Sequence, residues 1–480
     1  MDTPATARLA AAISDHSAHV AVIGAGYVGL PLAVALAESG FAVTALDVDE
    51  RKIASLRRGE SYIQDVPSDK LGPLVVSGRL AASLDYGVLA GADIIFVCVP
   101  TPFDRMRTPD LRPVQSAAEG LAPYLRPGQL VVLQSTTYPG TTEEFVLPIL
   151  ERGGLRAGVD FHLAFSPERI DPGNPQFTVA NTPKVIGGLT PRCAELAADV
   201  LRPITPEVFV VSTPRAAEMT KLLENIFRSV NIALVNELAL LCERMGIDIW
   251  EVIAAARTKP FGFMPFYPGP GVGGHCIPVD PYYLAWKARE YDFFTKFIEL
   301  AAETNEDMPH HVAQQVADAL ARHGKPVSGA RVLVLGVSFK KDVDDARNSP
   351  AERLIELLIA RDAGVMYHDP HVPTYHVGGS AFLRQPHTLT RVDLTETVLA
   401  AADVVVIVVG HSAYDWRWIT DHARLIVDTV NVTGGQPAAK VVRLGAPQPQ
   451  PALGAAAPSW GSDGHVNSHP SIPQSPSEAR

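Results

Sequence analysis

The run His19-Val20-Ala21-Val22-Ile23, followed by Gly24-Ala25-Gly26-Tyr27-Val28-Gly29, limits the folds open to this chain more than any other stretch. A short apolar run closed by glycines reads as a strand buried on both faces. A helical pattern over residues 30–39 follows and stops at Gly40, and residues 41–46 read as a second strand ending at Asp47. Strand, helix and strand in that order make a βαβ unit, which builds a parallel sheet covered by helices. The apolar runs at 94–99 and 130–133 continue that sheet.

The glycine spacing adds chemistry. Gly24 makes the tight turn, Gly26 lets backbone N–H groups approach a pyrophosphate, and Gly29 lets helix and strand pack closely. Tyr27 and Val28 belong to the same turn. Asp47 stands where a carboxylate would accept both ribose hydroxyls and repel a 2′-phosphate, which predicts NAD rather than NADP. Arg51 is the counter-signal, since it could pair with a phosphate. Glycines serving packing alone would leave Asp47 unexplained.

At 480 residues the chain exceeds one typical core, so two or three domains are expected. A net charge of −11 argues against nucleic acid or a membrane surface as partner, yet leaves room for an anionic small molecule at a local positive site. The N-terminus has no apolar signal core, and no run of about 18 apolar residues predicts a spanning helix. The cysteines, Cys98, Cys193, Cys242 and Cys276, form no CxxC pair, so no metal site or disulfide framework is expected and a cytoplasmic location fits.

Residues 216–245 have few helix breakers, and a helix of that length suits a link between domains or a pairing of subunits. Residues 259–274, rich in Pro and Gly, read as a loop, and 280–305 as a second helical stretch. Residues 331–336 open a third region that echoes the first: 365–369 resembles the strand ending at Asp47, and 401–407 mirrors 91–97. The third region has Gly336 alone in place of the full glycine fingerprint. The domains expected are an N-terminal extension (1–18), a dinucleotide-binding domain (19–212), a helical region (213–325), a second α/β domain (326–444) and a disordered tail (445–480), whose Pro, Ser, Gly and Ala bury too little surface to offset ordering entropy.

Cys276 is the candidate nucleophile. It follows Gly273-Gly274, which would permit close approach of a ligand to the backbone, and precedes a helix whose N-terminus would stabilise a thiolate. A thiol beside a nicotinamide site suggests two hydride transfers: trapping of an aldehyde, oxidation to a thioester, and hydrolysis to an acid. Cys98 and Cys242 read as small buried hydrophobes, and Cys193 has no supporting context. Lys221 and Asn225 share a helix face at i, i+4. A buried lysine there could stabilise an alkoxide or act as a base, and a solvated face is the plain alternative. Glu168 could serve as a general base; its plain alternative is a pair with Arg169 or a surface charge.

In combination these residues resemble the UDP-glucose/GDP-mannose dehydrogenase family, from about His19 to about Thr433. The motifs are GAGYVG with Asp47, VPTP at 99–102, STTYPGTT at 135–142, SPER at 166–169, Lys221 with Asn225, GGHCIPVD at 273–280 and FKKDVDDARNSP at 339–350. The resemblance implies two Rossmann-like doubly wound α/β domains joined by a long-helix dimerisation region, and two successive NAD-dependent oxidations of a sugar C6 hydroxyl to a carboxylate. It implies Cys276 as nucleophile, with Lys221, Asn225 and Asp280 in oxyanion and proton chemistry and Glu168 assisting hydrolysis. Thr136 would lie near the nicotinamide and Thr101 near the cofactor. Lys340 and Arg347 would lie near nucleotide and cofactor. Arg257 would reach the neighbouring subunit's substrate, and Arg169, Tyr267 and Gly273 fall in the substrate-contacting stretches. Where some members carry a second glutamate, this chain has Pro172 beside Asp171.

The strings SPERIDPGNP and PFYPGPGVGGHCIPVDP look most like the branch acting on UDP-N-acetylglucosamine, with UDP-N-acetylmannosamine the nearer competitor and UDP-glucose further off. Two other functions fit the residues less well. A single-oxidation hydroxyacid dehydrogenase has no use for Cys276 or a third domain. A catalytically silent sugar-nucleotide-binding protein has no use for the intact polar set. A homodimer or higher homo-oligomer is expected, because the long helix needs a partner surface.

Overall fold

The structure is a computed structural model, and it describes residues 2–63, 65–104, 107–171, 174, 176–274, 277–434 and 440–448. Cys276, Pro172 and the tail from 449 onward lie outside the described residues.

An eight-stranded sheet occupies the N-terminal part. Its strand order is Leu80–Ser83, Ala42–Leu46, His19–Ile23, Ile94–Val97, Leu130–Leu133, His162–Phe165, Lys184–Gly188, Val208–Val211. Neighbours are parallel except where His162–Phe165 meets Lys184–Gly188. Val20 and Val22 face one apolar layer and Ala21 and Ile23 the other, which is why that strand carries no polar alternation. The order runs outward in both directions from His19–Ile23 and Ile94–Val97. A crevice therefore opens at the C-terminal ends of those strands, where α/β sheets bind their ligands.

A five-stranded parallel sheet repeats the wiring in the order Gly364–His368, Arg331–Leu335, Val404–Ile407, Ile426–Asp428, Val441–Arg443. The sequence echo has a physical basis. Asp47 accepts a hydrogen bond from the Ala25 N–H, and Asp369 accepts two from Val337 and Ser338. Each carboxylate holds the turn that leaves the neighbouring strand. The fold is α/β with two doubly wound sheets, as the sequence predicts.

Between the sheets runs the Pro214–Met245 helix. Thr213 caps its start by accepting from the Ala216 N–H, and Gly246 ends it in the left-handed region. It packs along the Lys296–Arg322 helix. The stretch expected as one helix over 280–305 is two, Asp280–Ala288 and Lys296–Arg322, because Asp292 adopts a positive φ of 53° and breaks the run.

Both ends of the chain depart from the simple reading. Within the extension, Pro4–Ser14 is a helix that buries Leu9 and Ile13 and bonds His162 through Thr6. The expected tail starts too early at 445. Gly445 donates to Glu243 and accepts from Ile249, and Ala446 is buried.

Candidate active site

The nucleotide crevice has the shape its glycines imply. A Cβ at Gly24 would meet the Cys98 carbonyl oxygen at 2.4 Å, and one at Gly29 the Gly24 carbonyl oxygen at 1.8 Å. A Cβ at Gly26 would meet nothing within 4 Å. Two glycines thus serve chain packing, and the third borders open space beside the N-terminus of the Gly29–Glu38 helix, which no side chain caps. That is an anion-binding arrangement fit for a dinucleotide pyrophosphate. Asp47 is buried and accepts from the Asp49 N–H and from Lys52 Nζ at 2.9 Å. Arg51 lies elsewhere, exposed and paired with Asp49. Lys52, which the sequence reading passed over, is therefore the cation on this carboxylate. Arg347, from the second α/β unit, lies 5.1 Å over the Tyr27 ring and closes the crevice from across the molecule. Val28 occupies the N-cap position of the Gly29–Glu38 helix without a side-chain hydrogen bond.

Thr101 and Pro102 offer their carbonyls to the Tyr283 hydroxyl, which ties the VPTP loop to the Asp280–Ala288 helix. Thr136 is half-buried in the loop after Leu130–Leu133.

Lys221 and Asn225 are buried, which removes the solvated-face alternative. Asn225 donates its amide to Asp280, the first residue of the Asp280–Ala288 helix. Burial pushes the Asp280 carboxyl up to about 6, against the charge of Lys221 and the Asn225 hydrogen bond, which both lower it. An amine, an amide and a carboxylate of raised basicity thus converge from two helices, and the carboxylate stands four residues after the GGHC motif in the sequence.

Glu168 is neither a surface charge nor paired with the Arg169 side chain. Both its oxygens bond the buried Lys184 ammonium at 2.8 and 3.0 Å; Gln134 donates at 2.7 Å, and the Arg169 and Ile170 N–H groups complete its shell. Lys184 sits at the start of an apolar strand, where sequence gave no signal of a partner sixteen residues away. The Arg169 side chain pairs with Glu224 on the long helix at 2.6 Å.

Gly273 and Gly274 make room for protein rather than leave it to a ligand. A Cβ on Gly273 would meet Asn348 O at 2.8 Å and one on Gly274 the Phe339 ring at 3.0 Å. Asn348 also donates to the Gly274 carbonyl. Gly273 and Gly274 are thereby docked on the FKKDVDDARNSP segment. A cavity of about 390 Å³ opens beside it, lined by Gly269, Gly271, Phe339, Lys340, Val409 and Val430 among others. Lys340 bonds Asp171 at 2.6 Å, which joins the SPERID loop to this wall. Arg257 is exposed, 3.4 Å from the Tyr267 hydroxyl, and Tyr267 stacks on Trp250.

Cys98 and Cys193 are buried, and burial holds the Cys98 thiol well above its ordinary range. Among the described residues one grouping, Asp342, His371 and His411, has ligand atoms close enough for a metal. His411 already spends both ring nitrogens on the Asp342 N–H and on Asp369 and Ser338.

Residues 18–205 match the NAD binding domain of the UDP-glucose/GDP-mannose dehydrogenase family, 215–307 its central domain, and 333–435 its UDP binding domain. The UDP-N-acetyl-D-glucosamine 6-dehydrogenase of Pseudomonas aeruginosa is 40% identical over 355 residues, covering 74% of this chain and 83% of that protein. The chain belongs to this family. Like its relatives, this family member is an NAD-dependent nucleotide-sugar dehydrogenase. The UDP-N-acetyl-D-mannosamine dehydrogenase of Pyrococcus horikoshii is 35% identical over 430 residues, 88% of this chain and 98% of that one. A solved structure from the same organism, a UDP-D-ManNAc dehydrogenase, superposes with a TM-score of 0.81 at 33% identity, covering 89% of this chain and 99% of that one. Family membership accounts for the two sheets at once: the cofactor belongs to the first and a UDP-sugar to the second.

Proposed function

We propose that this dehydrogenase oxidises the C6 hydroxyl of UDP-N-acetylglucosamine to the uronate, in two steps on Cys276. The observation that carries the oxidation is the buried Lys221–Asn225–Asp280 set; the second step rests on Cys276, which stands four residues before Asp280 in the sequence. NAD, when bound, supplies the hydride acceptor for each oxidation, and Gly24, Gly26, Gly29, Asp47 and Thr101 would hold it. Asp280 takes the alcohol proton, Lys221 stabilises the alkoxide and later the carbonyl oxygen, and Asn225 holds Asp280 in place. Thr136 borders the reacting carbon. Glu168, whose lone pairs are filled by Lys184, Gln134 and backbone, contributes to hydrolysis by fixing the SPER loop. Lys340 faces the diphosphate and the apolar wall around Val409 and Val430 takes the base, while Arg169, Tyr267 and Gly273 border the sugar side.

The substrate choice rests on the SPERIDPGNP and PFYPGPGVGGHCIPVDP strings and on the 40% identical relative. The fold match to a UDP-D-ManNAc dehydrogenase keeps the 2-epimer as the second reading. NADH release and product mass, measured with UDP-linked N-acetylglucosamine, N-acetylmannosamine, glucose and N-acetylgalactosamine, separate the two. The expected result is two NADH and one uronate per UDP-N-acetylglucosamine. Turnover of another sugar alone would move the branch assignment; one NADH per substrate would sink the two-step chemistry.

The working unit is a homodimer paired through the long helix. Leu223, Phe227, Leu234, Leu238 and Leu241 recur at helical spacing and are each 39–59% exposed. By length and composition this helix also passes as a membrane span, but its other face buries Glu218, Lys221, Asn225 and Asn236 inside the protein. An apolar stripe opposite a polar buried face fits a second copy. Sedimentation should give a dimer at micromolar concentration, and Leu238→Asp a monomer with little activity, since Arg257 would act across the interface. A wild-type monomer that is fully active contradicts this.

A further inference from the structure

One buried carboxylate remains outside the scheme above. Glu218 is fully buried on the long helix, three residues before Lys221 and seven before Asn225, so all three share a face. Its Oε2 accepts from the Gly140 N–H at 2.5 Å, and its Oε1 accepts from the Thr142 N–H at 2.9 Å and the Thr142 hydroxyl at 2.7 Å. Among the described residues no ion pair involves it. All three donors lie at one end of the 135–142 loop. The other end is tied by Ser135, whose hydroxyl donates to the Val97 and Val99 carbonyls. Thr136 stands between the two anchors.

We infer that Glu218 is a positioning residue: it fixes the 135–142 loop to the helix face that carries Lys221 and Asn225, and so sets where Thr136 stands relative to the proton-transfer groups. The geometry is specific. A backbone N–H left unpaired in this interior loses its hydrogen bond without regaining one to water, so the loop would move to recover a partner once the carboxylate is removed. No other side chain reaches both the Gly140 and the Thr142 N–H groups by a hydrogen bond among the described residues. Burial pushes the Glu218 carboxyl up to about 7 while its three donors pull it down, which is consistent with a group held for its acceptors at some cost in solvation. One strut thus joins the cofactor-side loop to the helix of the polar set. The inference rests on the proposed oxidation, in which Thr136 borders the reacting carbon.

The test compares Glu218→Ala, Glu218→Gln and Thr142→Val in the full-length enzyme. Three readouts are taken: kcat and KM for the UDP-sugar, the isotope effect with substrate deuterated at C6, and NAD affinity by fluorescence titration. Displacing a reacting neighbour by about 1 Å can cost on the order of 100-fold, so Glu218→Ala should lose about 10- to 100-fold in kcat with KM nearly unchanged. The isotope effect should rise as hydride transfer becomes limiting. The Gln variant keeps an acceptor for the Thr142 donors and should recover most of the rate; Thr142→Val, which removes one bond of three, should show a smaller loss in the same direction. A lowered melting temperature with unchanged kcat per folded enzyme, isotope effect and NAD affinity would overturn the inference. Should Glu218→Ala fail to fold, the Gln and Thr142→Val variants carry the same comparison. Absence of NADH from the unaltered enzyme with every sugar would instead count against the proposed oxidation, and the NAD titration would still report on the loop.

Discussion

Cys276→Ala is expected to abolish uronate formation, by on the order of 1,000-fold or more, as the loss of a covalent nucleophile generally does. The chemistry fixes the reason. Converting a primary alcohol to a carboxylate releases two hydrides and, with one water, three protons. After the first hydride leaves, the carbon is an aldehyde and has no second hydride to give until a nucleophile adds to it. In the proposed mechanism the Cys276 thiolate adds, the resulting hemithioacetal gives up the second hydride to become a thioester, and water then displaces the thiolate. On that proposal, removal of the sulfur stops the reaction at the aldehyde. The variant should therefore yield at most one NADH per substrate, and an intact-protein mass spectrum should show no sugar adduct. Full uronate production by the variant would end the covalent mechanism.

The second large effect is at Asp280. Asp280→Asn should lower kcat by about 100- to 10,000-fold, the range that a general base supplies. Its sign with pH follows from its surroundings. Burial raises the carboxyl to about 6; below that value it carries a proton and cannot accept another. The wild-type rate should fall about tenfold per unit as pH drops below about 6, and the residual rate of the variant should lack that limb. Glu218 titrates near 7, so the profile is best taken also in the Glu218→Gln background, where a limb near 6 must persist. A limb surviving in Asp280→Asn would reassign the base.

These predictions stand on residues that differ in how far sequence alone could take them. Lys221 and Asn225 could be placed on one helix face, because helical spacing is a local property. Their burial could not, since it depends on the Asp280–Ala288 and Lys296–Arg322 helices packing against that face. Glu168 was legible as a motif residue, yet its partner Lys184 was not: a charged residue at the start of an apolar strand looks like an edge until the sheet places it beside the SPER loop. The Gly273-Gly274 pair was legible as an unusual backbone, but what approaches that backbone is Phe339 and Asn348, from the other α/β unit.

The sequence by itself determined the βαβ unit with its glycine turn, the repeat of that wiring in the third region and the long helix. Each is written in short-range periodicity and turn chemistry, which need no distant partner. The tertiary structure alone decided which charges meet. Lys52 on Asp47, Lys184 on Glu168, Glu218 on the 135–142 loop and Arg347 over Tyr27 join residues through packing. A carboxylate's partner depends on which elements the core brings within about 3 Å of it, a length that sequence separation does not encode.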